Sequence, residues 1–242
     1  MPNDKFALIT GANKGIGLEV SRQLGKAGFT ILLGARNATL GKEAAAQLRG
    51  EGIDVHPVEL DLGRPDTIQA LAGEIGSRHG HLDILVNNAG ISDPGDGPPS
   101  RAAIPAVRRI FETNFIGALE VAQAMLPLLR KAPAARIVNV SSGLGSIALN
   151  ADPAWDFAAV KLIGYNASKS ALNMLTVQLA YELRDTAIKV NSADPGYTKT
   201  DLNGNRGYQT LEQGAAETVR LALLPADGPT GKFFETAGPR PW

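Results

Sequence analysis

Cysteine is absent from all 242 residues. That excludes disulfides, zinc–thiolate sites and cysteine nucleophiles, and leaves the compartment open. Histidine is scarce. His56, His79 and His81 show no metal-ligand spacing with carboxylates, so no metal site is expected, and the last two read as a solvated helix end. An excess of one charge is also missing: 24 basic residues face 24 acidic ones. The chain therefore carries no electrostatic footprint for nucleic acid or an anionic membrane. No apolar run approaches the ~18 residues that a bilayer span requires. The segment before Phe6 is too short and polar for a secretion signal. The expectation is a cytoplasmic protein that binds neither nucleic acid nor membrane.

What the chain does have is 44% hydrophobic residues, enough for a sizeable core, in a length that suits one α/β domain over residues 1–242. Strand and helix signals alternate. Apolar runs at 6–9, 30–33, 55–60, 82–86, 136–140, 188–192 and 232–235 read as seven strands. Helical spacing follows the first run, and helices are read at 65–78, 103–131, 165–184 and 211–224, with loops at 92–100 and an irregular stretch at 144–163. Alternation of this kind gives a doubly wound, mostly parallel seven-stranded sheet with helices on both faces, a single-domain Rossmann fold. Its ligand site lies beyond the carboxyl ends of the strands.

The residues at those ends carry the chemistry. Gly11, Gly15 and Gly17 punctuate the first strand–helix junction as G-x-x-x-G-x-G, which differs from the general G-x-G-x-x-G fingerprint. Glycines there let the backbone approach a pyrophosphate, and the helix N-terminus offers it free N–H groups. Arg36 stands 19 positions after Gly17, at the end of the second strand, where no acid is present. An acid at that position binds the ribose 2′-OH of NAD, whereas arginine accommodates the 2′-phosphate of NADP. Lys14 lies in the glycine turn and can reach the same corner, so two cations point to NADPH/NADP+. Asp61 and Leu62 close the third strand, Asn88, Ala89 and Gly90 the fourth, Ser142 the fifth and Pro195-Gly196 the sixth. Tyr165 and Lys169 are four apart, hence on one helical face. An ammonium beside a phenol favours the phenolate and makes the tyrosine a better proton donor.

Taken together, these motifs resemble the short-chain dehydrogenase/reductase family along nearly the whole chain. Thr10-Gly11-Ala12-Asn13-Lys14-Gly15-Ile16-Gly17 looks like its cofactor turn, and Asn87-Asn88-Ala89-Gly90 like its structural motif after strand four. Asn114, Ser142, Tyr165 and Lys169 fall where the family carries its catalytic four. Asn13-Lys14, Ala35-Arg36 and the closing Gly238-Pro239-Arg240-Pro241-Trp242 look most like NADPH-dependent carbonyl reductases. The resemblance implies that NADPH contacts Gly11, Asn13, Lys14, Gly15, Ile16, Gly17, Arg36, Asp61, Leu62, Asn88, Ala89, Gly90, Tyr165, Lys169, Pro195, Gly196 and Thr198. It implies reduction of a ketone or aldehyde carbonyl, with Tyr165 as general acid, Ser142 on the substrate oxygen and Asn114 holding a proton-relay water. The alternatives are an alcohol dehydrogenase running in reverse with NAD(P)+ and a non-catalytic NADPH-binding regulator.

One departure stands out. Ser142 and Tyr165 are 23 positions apart, about ten more than in many family members. The implied insertion, residues 143–164, adjoins a flank that often forms family dimers and tetramers, so monomer and homo-oligomer both stay open. With the 197–210 loop it would build the substrate pocket. Leu144, Trp155, Leu202, Tyr208 and Trp242 then suggest a small hydrophobic carbonyl substrate.

Overall fold

A computed structural model describes residues 5–242; residues 1–4, where most of the leader reading falls, lie outside the described residues. Its centre is one sheet in the order β3-β2-β1-β4-β5-β6-β7-β8. The strands are β1 (Phe6–Ile9), β2 (Thr30–Ala35), β3 (Val55–Glu59), β4 (Ile84–Asn87), β5 (Arg136–Val140), β6 (Lys189–Ala193), β7 (Lys232–Glu235) and β8 (Gly238–Pro239). All neighbours pair in parallel except β7 with β8. The expected seven strands are thus eight, because the chain doubles back at residues 236–237 and pairs Glu235 with Gly238. A two-residue strand leaves no periodicity to read.

The helices are α1 (Gly15–Lys26), α2 (Ala38–Gly50), α3 (Pro65–Arg78), α4 (Ile104–Phe111), α5 (Gly117–Leu129), α6 (Ile147–Ala151), α7 (Ile163–Glu182) and α8 (Leu211–Ala222). Strand alternation divides the core. Leu8 of β1 packs with Ile75 of α3, Met125 of α5 and Leu172 of α7 on one face. Ala7 and Ile9 pack with Leu24 of α1, Leu48 of α2 and Leu221 of α8 on the other. Fully burying a leucine or isoleucine contributes about 1.5–3 kcal/mol, so both faces hold the sheet.

Four departures from the sequence reading have local causes. The helix α2 had no strong apolar stripe; Asn37 starts it by accepting from Leu40 N at 3.1 Å. The single helix read over 103–131 is two helices joined by a π-helical turn at Glu112–Ile116, which carries Asn114. The stretch read as irregular holds a 3₁₀ turn at Gly143–Gly145 and the short α6, both opened by serine caps. His79 and His81 are half-buried rather than solvated, since the Phe6 ring lies 4.1 Å from His79 and 5.5 Å from His81.

A buried polar chain ties the centre of the sheet to α7. Asn87 donates to Asn139 (2.9 Å), Asn139 to Thr176 (2.7 Å), and Thr176 and Ser192 share a hydrogen at 2.8 Å. It fixes the height of α7 against strands β4, β5 and β6, and with it Tyr165 and Lys169.

Candidate active site

The junction of β1 and α1 makes a cradle. Gly11 and Gly15 have φ of +61° and +58°, which side chains rarely adopt. A Cβ on Gly17 would stand 2.4 Å from Asn88 Nδ2. Asn88 explains the tightness: its amide donates to Thr10 O (2.9 Å) and Gly11 O (3.2 Å). The Thr10 hydroxyl accepts from the N–H groups of Asn88 and Ala89 at 3.0 and 2.9 Å. The β4 motif thus braces the glycine turn. No side chain caps α1, so its first N–H groups, in the turn that holds Asn13, Lys14 and Ile16, have no side-chain partner. Arg36 is exposed just past β2 and makes no ion pair among the described residues. Lys14 is engaged: its ammonium lies 2.7 Å from Asp201 in the 197–210 loop, with both side chains about two-thirds exposed (65% and 64%). Asp61 holds its own turn by accepting from Gly63 N at 3.0 Å, and Leu62 is buried against Gly117.

Beside this cradle the four catalytic candidates converge. Lys169 is 4% exposed, and its Nζ donates to Val140 O at 2.8 Å. It lies 5.8 Å from the centre of the Tyr165 ring and 3.3 Å from where a Cβ on Gly90 would stand. Ser142, whose hydroxyl accepts from Leu144 N at 3.2 Å, is close enough to the Tyr165 phenol to favour its ionised form. Asn114 is fully buried; its Oδ1 accepts from Ile91 N (2.8 Å), and its Nδ2 donates to Ile91 O (3.0 Å) and Ser168 Oγ (3.1 Å). Its amide is therefore spent on bracing the β4 loop against α7. Pro195-Gly196 turns with φ +65° at Gly196, and the buried Thr198 donates inward to Pro195 O at 2.8 Å.

Burial pushes the Tyr165 phenol up to about 12; the Ser142 hydroxyl opposes the rise and the Asp194 carboxylate adds to it. Burial also pushes the Lys169 ammonium down to about 8. The expected lowering of the tyrosine by its lysine is not seen: Ser142, not Lys169, is the group that lowers it, and desolvation sets the direction. Tyr165 is only half-buried, and its partial exposure to solvent tempers the rise.

Several residues that hold the site gave no sequence signal. Asp96, in the loop after β4, accepts from Gly164 N and Tyr165 N at 2.8 Å each and so caps α7. Gly145 lets the turn after β5 press on α7, since a Cβ there would stand 2.7 Å from Lys169 Cβ. Of the substrate candidates, Trp155 and Tyr208 belong to an edge-to-face aromatic ladder Trp155–Phe157–Tyr197–Tyr208, with centroids 5.6, 5.6 and 5.9 Å apart. Leu144 is half-buried beside Ser142, and Leu202 is 43% exposed, its carbonyl accepting from Ser92. Trp242 is outside the ladder and stacks on Phe233 at 5.6 Å.

No helix among the described residues is long and apolar enough to cross a membrane, and none of their acidic and histidine side chains cluster as metal ligands. The family model for short chain dehydrogenases matches residues 5–210. Carbonyl reductase (NADPH) 1 of Mus musculus is 32% identical, covering 98% of both chains. The (+)-neomenthol dehydrogenase of Capsicum annuum is 32% identical over 95% of each. The NADPH-bound carbonyl reductase from chicken fatty liver superposes with a TM-score of 0.85 over the full length of both chains, at 27% identity. The chain belongs to the short-chain dehydrogenase/reductase family of oxidoreductases.

Proposed function

We propose that the protein reduces the carbonyl of a small hydrophobic ketone or aldehyde with NADPH. The observation that carries this reading is the convergence of Tyr165, Ser142 and Lys169 beside the glycine cradle. The residues fit the cofactor: positive-φ glycines, uncapped N–H groups of α1 and the unpaired Arg36 suit a pyrophosphate and a 2′-phosphate. Asn13, Lys14, Ile16, Asp61, Leu62, Ala89, Gly90 and Thr198 would complete its binding site. When bound, NADPH supplies the hydride.

The chain supplies the rest. Tyr165 donates its proton to the developing alkoxide, a far stronger base than a phenolate, so even a phenol raised by burial transfers it downhill. Ser142 donates a hydrogen bond to the same oxygen and stabilises the charge growing there. Lys169, held by Val140 O, offsets the phenolate left behind. Asn114 orders the loop that holds Gly90 beside Lys169, the place for a proton-relay water. Leu144, Trp155, Leu202 and Tyr208 present apolar surface at the mouth, which favours an apolar substrate.

The test is NADPH oxidation with a panel of hydrophobic ketones, aldehydes and quinones, NADH in parallel. Turnover on one class, faster with NADPH, is expected. Tyr165→Phe should lose at least about a hundredfold in kcat, the scale of general acid catalysis, with NADPH affinity nearly unchanged. A variant that keeps most of its turnover removes Tyr165 from the mechanism.

A further inference from the structure

Asp194 follows β6 and is 4% exposed. Its Oδ1 accepts from Gly196 N at 3.0 Å. Its Oδ2 stands 3.0 Å from where a Cβ on Gly143 would lie, directly under the residue after Ser142. The same oxygen is 3.1 Å from Arg240 Nε. That contact lacks hydrogen-bond alignment, so the attraction is coulombic. A buried carboxylate without a counter-charge is costly, and Arg240 is the cation that faces this one.

Arg240 arrives on a strap, residues 238–242, that is clamped on both sides. Its backbone N–H donates to Phe233 O at 2.8 Å, and its Nη2 donates to Glu235 Oε2 at 2.6 Å. Trp242 stacks on Phe233, and its carbonyl accepts from Ala148 N at 3.0 Å, joining the strap to α6. The groups that meet Asp194 are therefore Arg240 from the strap and the Gly196 N–H from its own turn, and its charge is felt at Tyr165 of α7. Lys169 is tied to Val140 O, and Glu235 meets Arg240.

We propose that the 238–242 strap is a positioning element of the active site: Arg240 balances the buried Asp194 carboxylate beneath the Ser142–Gly143 and Pro195–Gly196 turns and so keeps an uncompensated anion from Tyr165. The proposal rests on Tyr165 being the proton donor. An unbalanced Asp194 would oppose formation of the phenolate, weakening Tyr165 as an acid.

The experiment compares Arg240→Gln, Arg240→Lys, Asp194→Asn and the double variant Arg240→Gln/Asp194→Asn. Two quantities are read: the pH profile of carbonyl reduction, and the ionisation midpoint of Tyr165 from phenolate absorbance against Tyr165→Phe. Arg240→Gln should lower kcat about tenfold and move the alkaline limb and the midpoint upward by about one unit. Asp194→Asn should move both downward. The double variant and Arg240→Lys should return close to the parent. A strap that is only a structural clamp would lower Tm and leave both readouts in place, which overturns the proposal, as does a double variant no better than Arg240→Gln. If Arg240→Gln does not fold, Asp194→Asn decides alone, and an unmoved midpoint overturns the idea. If the parent enzyme reduces no carbonyl in the panel, the activity reading fails while the Tyr165 midpoint still decides this one.

Discussion

Lys169 is where chemistry and stability pull against each other. Its ammonium titrates near 8 in the fold, below its ordinary 10.5, because burial penalises the charge. Below about 8 both folded and unfolded chains are protonated, and the buried charge costs its full amount. Between those values the unfolded chain holds the proton and the folded one releases it, so this residue's contribution to stability rises with pH. Tyr165 acts in the opposite sense. Its folded value near 12 exceeds the ordinary 10, so its contribution falls as pH climbs between them. Lys169→Met should therefore stabilise the protein at neutral pH by about 1–2 kcal/mol, after subtracting the lost bond to Val140 O. The gain should shrink as pH approaches 10.5, while turnover collapses. Urea melts at neutral and alkaline pH check this. A methionine variant less stable than the parent at neutral pH would show that the bond to Val140 outweighs the desolvation. The Tyr165–Lys169 pair was legible in the sequence because four residues along a helix is a local relation. Asp194 and Arg240 were not, since their meeting depends on β7 and β8 turning the chain back.

At the scale of the element, α7 is a helix whose start is set from elsewhere. Leu162 stands at its N-cap position with no side-chain bond to offer, and Asp96 supplies both oxygens to the N–H groups of Gly164 and Tyr165. A carboxylate at a helix N-terminus also meets the favourable end of the dipole. Spacing located this helix within two residues, yet its cap lies 68 positions earlier and no local pattern marks it. The same blindness hid the π-helical turn at Asn114, whose bonds run to Ile91 and Ser168. Asp96→Ala should cost about 1–2 kcal/mol, the usual cost of a lost N-cap. Because one of its donors on α7 is Tyr165 N, kcat should fall as well, while NADPH affinity holds, since the bonds of Asp96 run to Gly97, Gly164 and Tyr165 and not to the glycine cradle. Denaturant melts and nucleotide titration separate the two effects. Equal losses in kcat and nucleotide affinity would mean that Asp96 supports the whole site and not the helix start.

Across the whole molecule, alternation of strand and helix was enough to place the candidate residues at one sheet edge, because right-handed crossovers leave one way to wind parallel strands. What alternation could not give is how the loops over that edge hold each other. Lys14 meets Asp201, Ser92 meets the Leu202 carbonyl, and the aromatic ladder joins residues 155–157 to Tyr197 and Tyr208. These ties cross 40 positions or more, and the sequence offers only isolated aromatics in polar loops. The Lys14–Asp201 pair is exposed and screened by water, hence weak, so a 2′-phosphate can take Lys14 from it. The ladder is different. Phe157 sits between Trp155 and Tyr197 at 5.6 Å from each, and its loss breaks two edge-to-face contacts worth about 0.5–1.5 kcal/mol apiece. Phe157→Ala should loosen the contact between residues 155–157 and Tyr197–Tyr208, which on the proposed reading walls the substrate pocket. The expected result is a KM about tenfold higher for a bulky apolar carbonyl, with kcat nearly constant, because Tyr165 and Lys169 are held on α7 by Asp96 and Val140 O and not by Phe157. A compact aldehyde that cannot reach the wall should show little change. Steady-state kinetics on the two substrates decide it: an equal rise for both would mean the ladder orders the site as a whole, and no rise for either would remove it from substrate recognition.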